Sequence, residues 1–431
     1  MPGTKRRNKR FIMRKIENKI TAIKVIKKII KSINIDFSYF IRSGFWVALR
    51  EIFVLGTGLL VSIIFARLAT KETYGEYQLI LSILSLVSLV SMPGLSTAII
   101  RSTARGYDGN YKRANEVSFL WSFLAIPIIS AFGVFYILNE NEVVGITMII
   151  SSFFFPFLYG PNKWEALFLG QERFDLTSKY GIIQTVFSNL VVGFTVFLFP
   201  DKLLIIILAY LAISCVFNVL FFKKSLLYLR NDRKDETTLS YGYFLTKINF
   251  LSTIAGNIDK IVIGFLLGSK ELAIYTLGVS FVDKFHSLLK SFLAIPSIKM
   301  ANKNVFSKKN IMLVLTVSFV ISTVLFLSAD FLITVLFTKK YLESIHLSKI
   351  IIVFIPFYVL DLMYKNHFIF FLKKEKVLQK DAIILPAIKI LLTILLVNRW
   401  KSVGLAYITG LIPLINIILL FLLKKQGEKN Q

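Results

Sequence analysis

Long apolar runs separated by short polar stretches dominate the chain between residues 44 and 423. Each run is close to the roughly 20 residues that an α-helix needs to cross the hydrocarbon core of a bilayer. We therefore predict an all-α polytopic membrane protein of about twelve spans. The predicted spans cover residues 44–66, 77–100, 117–138, 143–162, 180–199, 203–222, 243–267, 272–298, 311–337, 346–372, 382–398 and 403–423.

The composition agrees with lipid as the main solvent, since 55% of the 431 residues are hydrophobic and only 18% are charged. The net charge of +27 raises the possibility of nucleic-acid binding. However, the basic residues lie in short segments between apolar runs and not on a compact basic domain. The single cysteine, Cys215, can form neither an internal disulfide nor a cysteine-based metal site. We expect no nucleic-acid partner, no metal and no cofactor.

The basic residues are distributed unevenly between the two ends of the predicted bundle. If the N-terminus lies in the cytoplasm, the inner segments hold 36 of the 52 Lys and Arg residues, and the bias remains without the basic N-terminal segment. Cytoplasmic loops are rich in Lys and Arg, so we predict that both termini lie in the cytoplasm of a bacterial cell. No cleavable signal peptide is evident, because the first long apolar run begins only near Gly44.

Polar segments divide the chain into five parts. The N-terminal part is basic, and its isoleucines recur at helical spacing. It is either an amphipathic helix on the inner leaflet or a mobile tail that only fixes orientation. The parts are the N-terminal segment 1–43, a first six-helix bundle 44–222, a polar cytoplasmic linker 223–242, a second six-helix bundle 243–423 and a cytoplasmic tail 424–431.

The two predicted bundles resemble each other in sequence. Residues 68–72 (LATKE) leave the first span, and residues 267–271 (LGSKE) leave the seventh. The span that follows ends near Pro93 in the first bundle and near Pro296 in the second. Because both bundles start with the same orientation, they predict a parallel pseudo-repeat around a central cavity, an arrangement that commonly works by rocking.

Sequence signatures of enzymes are missing. Residues 264–270 (GFLLGSK) have the wrong spacing for a nucleotide-binding loop, and neither a His-Glu-x-x-His motif nor a cysteine pair occurs. The longest predicted outer loop, residues 338–345, is too short to form an extracytoplasmic domain. We therefore expect no catalytic residues and no enzyme.

Charged residues inside the predicted spans are the candidates for function. An ionisable group at the bilayer centre costs about 2.5–3.5 kcal/mol, so it usually faces a cavity or a partner. Asp283, His286 and Lys290 follow helical spacing and share one face. The candidate substrate-binding cations are Arg50, Lys260, Lys290, Lys365 and Lys389, and the candidate ion-coupling groups are Asp259, Asp283, His286 and Asp361.

Some of these charges also have a purely structural interpretation. Asp361 and Lys365 are four residues apart and can pair within one helix. Glu51 is adjacent to Arg50 and can simply compensate its charge. Cations that remain free in a water-filled cavity would lower the cost of moving a phosphate or pyrophosphate across hydrocarbon. Carboxylates there could bind H⁺ or Na⁺ and couple transport to an ion gradient.

Three stretches provide more specific motifs: residues 66–77 (ARLATKETYGEY), 92–98 (MPGLSTA) and 257–264 (NIDKIVIG). They resemble bacterial O-antigen and capsule flippases of the multidrug/oligosaccharidyl-lipid/polysaccharide exporter superfamily. The resemblance implies two six-helix bundles around a cationic cavity, alternating access, and an undecaprenyl-pyrophosphate-linked oligosaccharide as cargo. It marks Asp259 and Lys260 as a family-like position, and it assigns no role to the other candidates.

Other classes of protein remain open. A multidrug or cation antiporter of the same superfamily would favour cationic cargo, and basic residues only moderately outnumber acidic ones inside the predicted spans. A membrane glycosyltransferase or glycan polymerase would need a larger outer loop, and a structural scaffold would not need costly intramembrane charges. The expected partners are the lipid-linked saccharide, the lipid bilayer, H⁺ or Na⁺, and other membrane proteins of polysaccharide assembly.

Overall fold

The computed structural model describes residues 37–300, 308–368 and 375–429, with side chains for 44–290, 311–368 and 377–425. All regular secondary structure in these ranges is helical. The amphipathic helix proposed for residues 1–43 lies almost entirely outside them. The first helix begins at Phe37, earlier than the predicted first span.

The helices divide into a first half, α1–α9, and a second half, α10–α15. The first half contains α1 Phe37–Leu68, α2 Lys71–Val87, α3 Gly94–Ala104, α4 Asn110–Ser122, α5 Ala125–Leu138, α6 Glu142–Tyr159, α7 Trp164–Gly170, α8 Phe174–Leu198 and α9 Leu203–Leu226. The second half contains α10 Thr237–Leu266, α11 Ser269–Met300, α12 Lys308–Phe337, α13 Leu342–Val353, α14 Ile355–Asn366 and α15 Glu375–Lys429.

The prediction of a polytopic membrane protein is confirmed. Within the described ranges, eight helical stretches are long and apolar enough to cross a membrane, or nine if the bent pair α13–α14 counts as one span. The helices α10 and α11 have 30 and 32 residues and hold several of the candidate charges. The 55-residue α15 has a non-helical residue at Lys401 (φ 49°, ψ −142°) and is long enough to cross twice. The count of twelve stays a prediction.

The second and the tenth predicted span are interrupted rather than continuous. The second breaks where a 3-10 turn, Ser88–Ser91, leads into Met92 in the left-handed conformation (φ 55°) and then Pro93. The tenth bends by 45° at Phe354. Pro356 follows at the start of α14, where a backbone N–H would have no partner within the helix, so its absence does not destabilise α14. The proline ring does prevent α13 and α14 from forming one continuous helix.

Several helices extend past the boundaries predicted for the spans. The predicted outer loop 338–345 is mostly helical, because a 3-10 turn covers Lys339–Tyr341 and α13 begins at Leu342. Within the linker predicted at 223–242, only residues 227–236 are non-helical, because the helices on both sides extend into it. The predicted inner segment 373–381 overlaps α15, and Asp381 at its end is buried. Helical ends rich in Lys, Ser and Thr lack the apolar signal that marks a span.

The two halves meet along one tight seam, in which α2 packs on α10 and α11 and α3 packs on α10. Two glycines allow this approach. A Cβ at Gly75 would lie 1.8 Å from the Ser269 carbonyl oxygen, and a Cβ at Gly94 would lie 2.4 Å from the Gly242 carbonyl oxygen. On the other side, α1 packs along α8 and makes few contacts with α11 and α12. One seam is therefore closed and the other is loose.

The apolar core extends through both halves, and fully buried Phe65, Tyr74, Tyr275 and Ile352 belong to the same cluster. Large apolar side chains also cover much of the surface. A soluble protein would bury such side chains, whereas a membrane protein exposes them to lipid.

Candidate functional site

Asp259 on α10 is buried and belongs to a polar cluster formed by three helices. Its Oδ2 accepts a hydrogen bond of 2.7 Å from the Tyr275 hydroxyl on α11. The Tyr275 oxygen lies 3.1 Å from Thr409 Oγ1 on α15. Asp259 Oδ1 is buried and has no hydrogen-bond partner in the described part of the chain. We call Asp259, Tyr275 and Thr409 the Asp259 cluster; its free carboxylate oxygen can accept a proton or contact a small cation.

Three of the candidate lysines have no acidic partner in the part of the chain that the structure describes. Lys260 on α10 and Lys389 on α15 are half-buried, while Lys290 on α11 is exposed. Among the described residues, no carboxylate lies within 4 Å of any of the three ammonium groups. Within the described residues, these lysines therefore carry positive charge without an acidic neighbour.

The polar face predicted for α11 divides between two neighbouring surfaces. Asp283, whose side chain is 62% exposed, lines a cavity of about 220 Å³ together with Gly58 of α1 and Ser287. His286 instead stacks on Tyr358 of α14, with the rings 3.9 Å apart and 15° from parallel. The His286 Nδ1 still lies 3.6 Å from Asp283 Oδ1. The cavity lies on the loose side of the molecule, between α1 and α11.

The pair predicted within α14 is present and belongs to a larger cluster. Lys365 Nζ lies 3.1 Å from Asp361 Oδ2, and Asn416 donates a 2.5 Å hydrogen bond to Asp361 Oδ1. Asp381 on α15 interacts electrostatically with both Lys365 and Asp361. Asp381 Oδ1 and Asn416 Oδ1 are buried without a hydrogen-bond partner in the described ranges. We call these four residues the Asp361 cluster; in it, Lys365 is already neutralised.

Sequence reasoning missed Asp381 because it directly precedes the predicted eleventh span. A start one helical turn earlier would have included it among the intramembrane charges. The helix in fact begins at Glu375, and α15 carries Asp381 to the side of α14.

Arg50 is not a free cation, and Glu51 is not its partner. Its guanidinium makes two contacts with Glu165 of α7, at 2.5 and 3.2 Å. It lies against Gly181 of α8, where a Cβ would come within 2.7 Å of Arg50 Nε. Glu165 is 115 residues away in sequence, so this ion pair could not be predicted from spacing. Arg50 ties three helices of the first half together.

Lys163 is a second residue that the sequence did not single out. It lies between the predicted spans 143–162 and 180–199, yet it is only 1% exposed. Its Nζ donates a 2.7 Å hydrogen bond to Ser118 Oγ and lies 3.5 Å from the Ser91 carbonyl oxygen, at the break between α2 and α3. Asn162 Oδ1 is 3.4 Å away. In the described ranges, this buried ammonium is held by neutral oxygens alone.

Ionic contacts join the halves at the end of the bundle that the charge count predicts to face outward, which we call the outer end. The carboxylate oxygen Oε1 of Glu72 lies 2.7 Å from Lys270 Nζ. Lys340 donates a 2.5 Å hydrogen bond to the Ala69 carbonyl oxygen. Arg67 donates to the Val335 and Leu336 carbonyl oxygens at 2.6 and 3.3 Å. We call these contacts of the α1–α2 turn the outer latch.

Asp201, in the connection between α8 and α9, braces the outer latch from within the first half. Its carboxylate accepts a 2.9 Å hydrogen bond from the Thr70 backbone N–H. This bond lowers the pKa of Asp201 from its ordinary value, with further help from the hydroxyls of Thr70 and Thr73 and the charge of Lys340. The carboxylate therefore stays ionised around neutral pH.

Two helical halves joined along one closed seam, with buried charges that keep free polar atoms, are typical of multi-pass membrane transport proteins. A family profile described as "Polysaccharide biosynthesis protein" matches residues 64–346. The chain belongs to this family. No curated protein matches the sequence.

Solved structures of similar fold extend this assignment. The lipid II flippase MurJ in an inward closed conformation is 15% identical to this chain, with a TM-score of 0.67. The similarity covers 88% of this chain and 87% of the MurJ chain. The eukaryotic MATE transporter AtDTX14 is 14% identical with coverages of 90% and 97% and a TM-score of 0.63. An inward-facing multidrug resistance MATE transporter of the MOP superfamily is 14% identical, with coverages of 87% and 96% and a TM-score of 0.59.

Identities this low establish the fold and not the cargo. The expected fold class is confirmed, since the chain shares the helical fold of these transporters over most of its length. The family match places the chain in polysaccharide biosynthesis, and the solved structures show which fold it has.

Proposed function

We propose that this protein is a flippase for undecaprenyl-pyrophosphate-linked oligosaccharide repeat units. It would move them from the cytoplasmic to the outer leaflet of a bacterial cell membrane, for surface polysaccharides of the O-antigen or capsule type. The family match over residues 64–346 carries the proposal, because it places the chain in polysaccharide biosynthesis. A solved protein of similar fold is a lipid II flippase, whose cargo is also a lipid-linked molecule.

The uncompensated lysines support an anionic cargo. A pyrophosphate that leaves water loses its hydration, and charge-assisted hydrogen bonds from ammonium groups replace part of it. Lys260, Lys290 and Lys389 have no acidic partner in the described ranges and are therefore our substrate-binding candidates. Arg50 and Lys365 are paired, so they would act only if their ion pairs open during the cycle.

The unequal seams support alternating access. The halves are held at the outer end by the outer latch and along α2–α3 by close glycine contacts, while α1 touches the second half only lightly. In the proposed cycle, cargo enters between α1 and α11 with its lipid tail in the bilayer. A rocking motion then breaks the outer latch and releases the headgroup outward.

Two clusters support coupling to H⁺ or Na⁺. The Asp259 cluster and the Asp361 cluster each contain a buried carboxylate oxygen without a hydrogen-bond partner among the described atoms. A buried carboxylate of this kind gains from binding a proton or a cation. The clusters involve α10, α11, α14 and α15, so ion binding would act on the packing of the second half.

A multidrug or cation antiporter is the second candidate. The buried carboxylates and the similarity of fold to MATE transporters favour it. The family match favours polysaccharide export instead. A glycan polymerase is less well supported, because the described outer connections, such as residues 139–141 and 199–202, are too short to hold an acceptor glycan.

A strain that lacks this protein tests the proposal. Its lipids would be extracted and the undecaprenyl-linked species weighed by mass spectrometry, with surface glycan stained in parallel. We expect a full-length lipid-linked repeat unit to accumulate while surface glycan disappears. Short surface polymer with normal repeat units would identify a polymerase, and unchanged glycan with new drug sensitivity would identify an exporter.

A further inference from the structure

A groove of about 550 Å³ lies beside the tight seam, at the end of the bundle opposite the outer latch. We call it the α3–α10–α15 groove, after the helices that form it. It is lined by Arg101 of α3, by Tyr241, Phe244 and Leu245 of α10, and by Leu378 and Gln379 of α15. Helix α3 belongs to the first half and the other two to the second, so an occupant of the groove would contact both halves.

Arg101 provides an oriented cation at the mouth of this groove. Its Cζ lies 4.4 Å from the centroid of the Tyr241 ring, so the ring covers one face of the guanidinium. Arg101 is exposed and forms neither an ion pair nor a hydrogen bond with any residue that the structure describes. The edges of the guanidinium, which carry its N–H groups, therefore remain available for a planar two-oxygen acceptor such as phosphate.

Among the described residues, no carboxylate lies within 4 Å of the Arg101 guanidinium. Asp235 interacts electrostatically with Arg105 and Arg101. However, its Oδ1 accepts hydrogen bonds from the Thr237 backbone N–H at 2.9 Å and from the Thr237 hydroxyl at 2.7 Å. Asp235 is thus held at the start of α10. The adjoining cavity adds Arg105 and Lys234, along with Glu236.

The walls of the groove are apolar. Phe244 is 49% exposed, and Leu245, Ile248 and Leu378 continue the surface away from Arg101. Ile248 lies seven positions after Tyr241 on α10, a rise of roughly 10 Å along the helix axis. One end of the groove is therefore cationic and the other is suited to hydrocarbon, which is the chemical profile of a phospholipid.

We infer that the α3–α10–α15 groove binds an anionic phospholipid, with the phosphate on Arg101 and an acyl chain along Phe244 and Ile248. The lipid bridges the two halves where Gly94 of α3 already lies against α10. It is a bulk lipid and not the cargo, because the seam is closed here and the loose side of the molecule lies between α1 and α11. Anionic lipids are enriched at the cytoplasmic leaflet, to which the basic segments assign this end.

Native mass spectrometry of the purified full-length protein tests this site, with phosphatidylglycerol, phosphatidylcholine and undecaprenyl phosphate as probes. We expect phosphatidylglycerol to bind in preference to phosphatidylcholine. Arg101→Gln should weaken its binding about tenfold, because one charge-assisted contact to phosphate is lost. The matched control is Arg113→Gln, which removes an exposed arginine paired with Glu116 on α4 and should leave binding unchanged.

A second variant tests the apolar part of the site. Gln379 is exposed at the groove, so Gln379→Trp should fill the groove without changing charge or disturbing the core. We expect this variant also to bind phosphatidylglycerol more weakly than the wild-type protein does. Thermal unfolding provides a parallel readout, since phosphatidylglycerol should raise the midpoint of the wild-type protein and not that of either groove variant.

Three results would overturn the inference: equal binding of the two phospholipids, equal loss in Arg101→Gln and Arg113→Gln, or displacement of phosphatidylglycerol by equimolar undecaprenyl phosphate. The last result would make the groove a cargo site. None of these outcomes depends on the deletion strain, so the proposed lipid site and the proposed flippase function are tested independently of each other.

Discussion

At the scale of single residues, the partner of each charge decides what that charge can do. Arg50 and Lys365 are held by Glu165 and Asp361, whereas Lys260 and Lys290 have no acid within reach among the described residues. A cation that is already paired must give up its partner before it binds an anion, which costs free energy. The unpaired lysines are therefore the better candidates for contact with a pyrophosphate.

Replacement of these lysines should impair transport without impairing insertion. We expect Lys260→Ala and Lys290→Ala each to lower surface glycan by about tenfold or more, because each removes a charge-assisted contact. Surface glycan would be measured at matched expression. Lys112→Ala, at an exposed position on α4, is the control. Normal glycan in both test variants would remove the site assignment and leave the fold untouched.

Lys163 should matter for stability rather than for cargo. Lys163→Met keeps the length of the side chain but removes the ammonium that donates to the Ser118 hydroxyl oxygen, whose own proton is donated to the Ser91 carbonyl oxygen. We expect a loss of roughly 1–3 kcal/mol in the free energy of unfolding. Thermal unfolding in detergent would detect it. Lys179→Met, at an exposed position on α8, should unfold like the wild type; equal midpoints for all three proteins would contradict the argument.

At the scale of helices, the broken second span sets how the halves meet. The 3-10 turn and left-handed Met92 redirect the chain between α2 and α3, so that both helices follow the second half. Gly75 brings α2 against Ser269, and Gly94 brings α3 against Gly242. A continuous straight helix from Lys71 to Ala104 would not follow this path.

Replacement by alanine should lower the thermal midpoint at a glycine in the seam and should raise it at a glycine outside the seam. Gly75→Ala places a Cβ 1.8 Å from a backbone oxygen, so α2 must move away from α11 and the thermal midpoint should fall. Gly56→Ala on α1 meets nothing within 4 Å and should gain up to about 1 kcal/mol of helix propensity. Differential scanning fluorimetry compares the two. A midpoint for Gly75→Ala at or above the wild type would show that the seam is not tight.

At the scale of the whole molecule, the outer latch and the closed seam hold two bundles in one relative position. The latch consists of one ion pair and of hydrogen bonds from Lys340 and Arg67 to backbone carbonyl oxygens, and exposed ionic contacts of this kind contribute little to stability. In the proposed transport cycle, weak contacts of this kind can break and re-form. The apolar core that continues through both halves keeps them joined as they do so.

A covalent bond across the outer latch should stop transport. We would introduce Glu72→Cys and Lys270→Cys into a Cys215→Ser background and join them with a short thiol-specific cross-linker. Because the native side chains lie 2.7 Å apart, the linkage fits this conformation and prevents the halves from separating at the outer end. Surface glycan should fall on cross-linking and recover on reduction.

The control for this experiment joins two positions on one helix. Arg113→Cys and Glu116→Cys on α4 react with the same reagent without connecting the halves. Full transport by a cross-linked latch would mean that the outer end does not open during the cycle. Loss of transport in both pairs would trace the effect to the reagent.

The sequence by itself determined the helical class, the membrane environment and most of the helices, because an apolar run of sufficient length is a local signal that needs no partner. It also identified Asp361–Lys365, whose spacing lies within a single helix. Helix breaks were missed at Met92 and Phe354, since both occur inside apolar runs that look continuous.

Only the tertiary structure decided which charges are paired and which are buried. Glu165 reaches Arg50 from 115 residues away, and Asp381 joins Asp361 because α15 packs on α14. Lys163 looks like a loop residue in sequence, yet packing of the helices around the break after α2 encloses it. The physical reason is common to all three. An intramembrane charge is stabilised by whatever lies beside it in space, and helix packing brings together residues that are far apart in sequence.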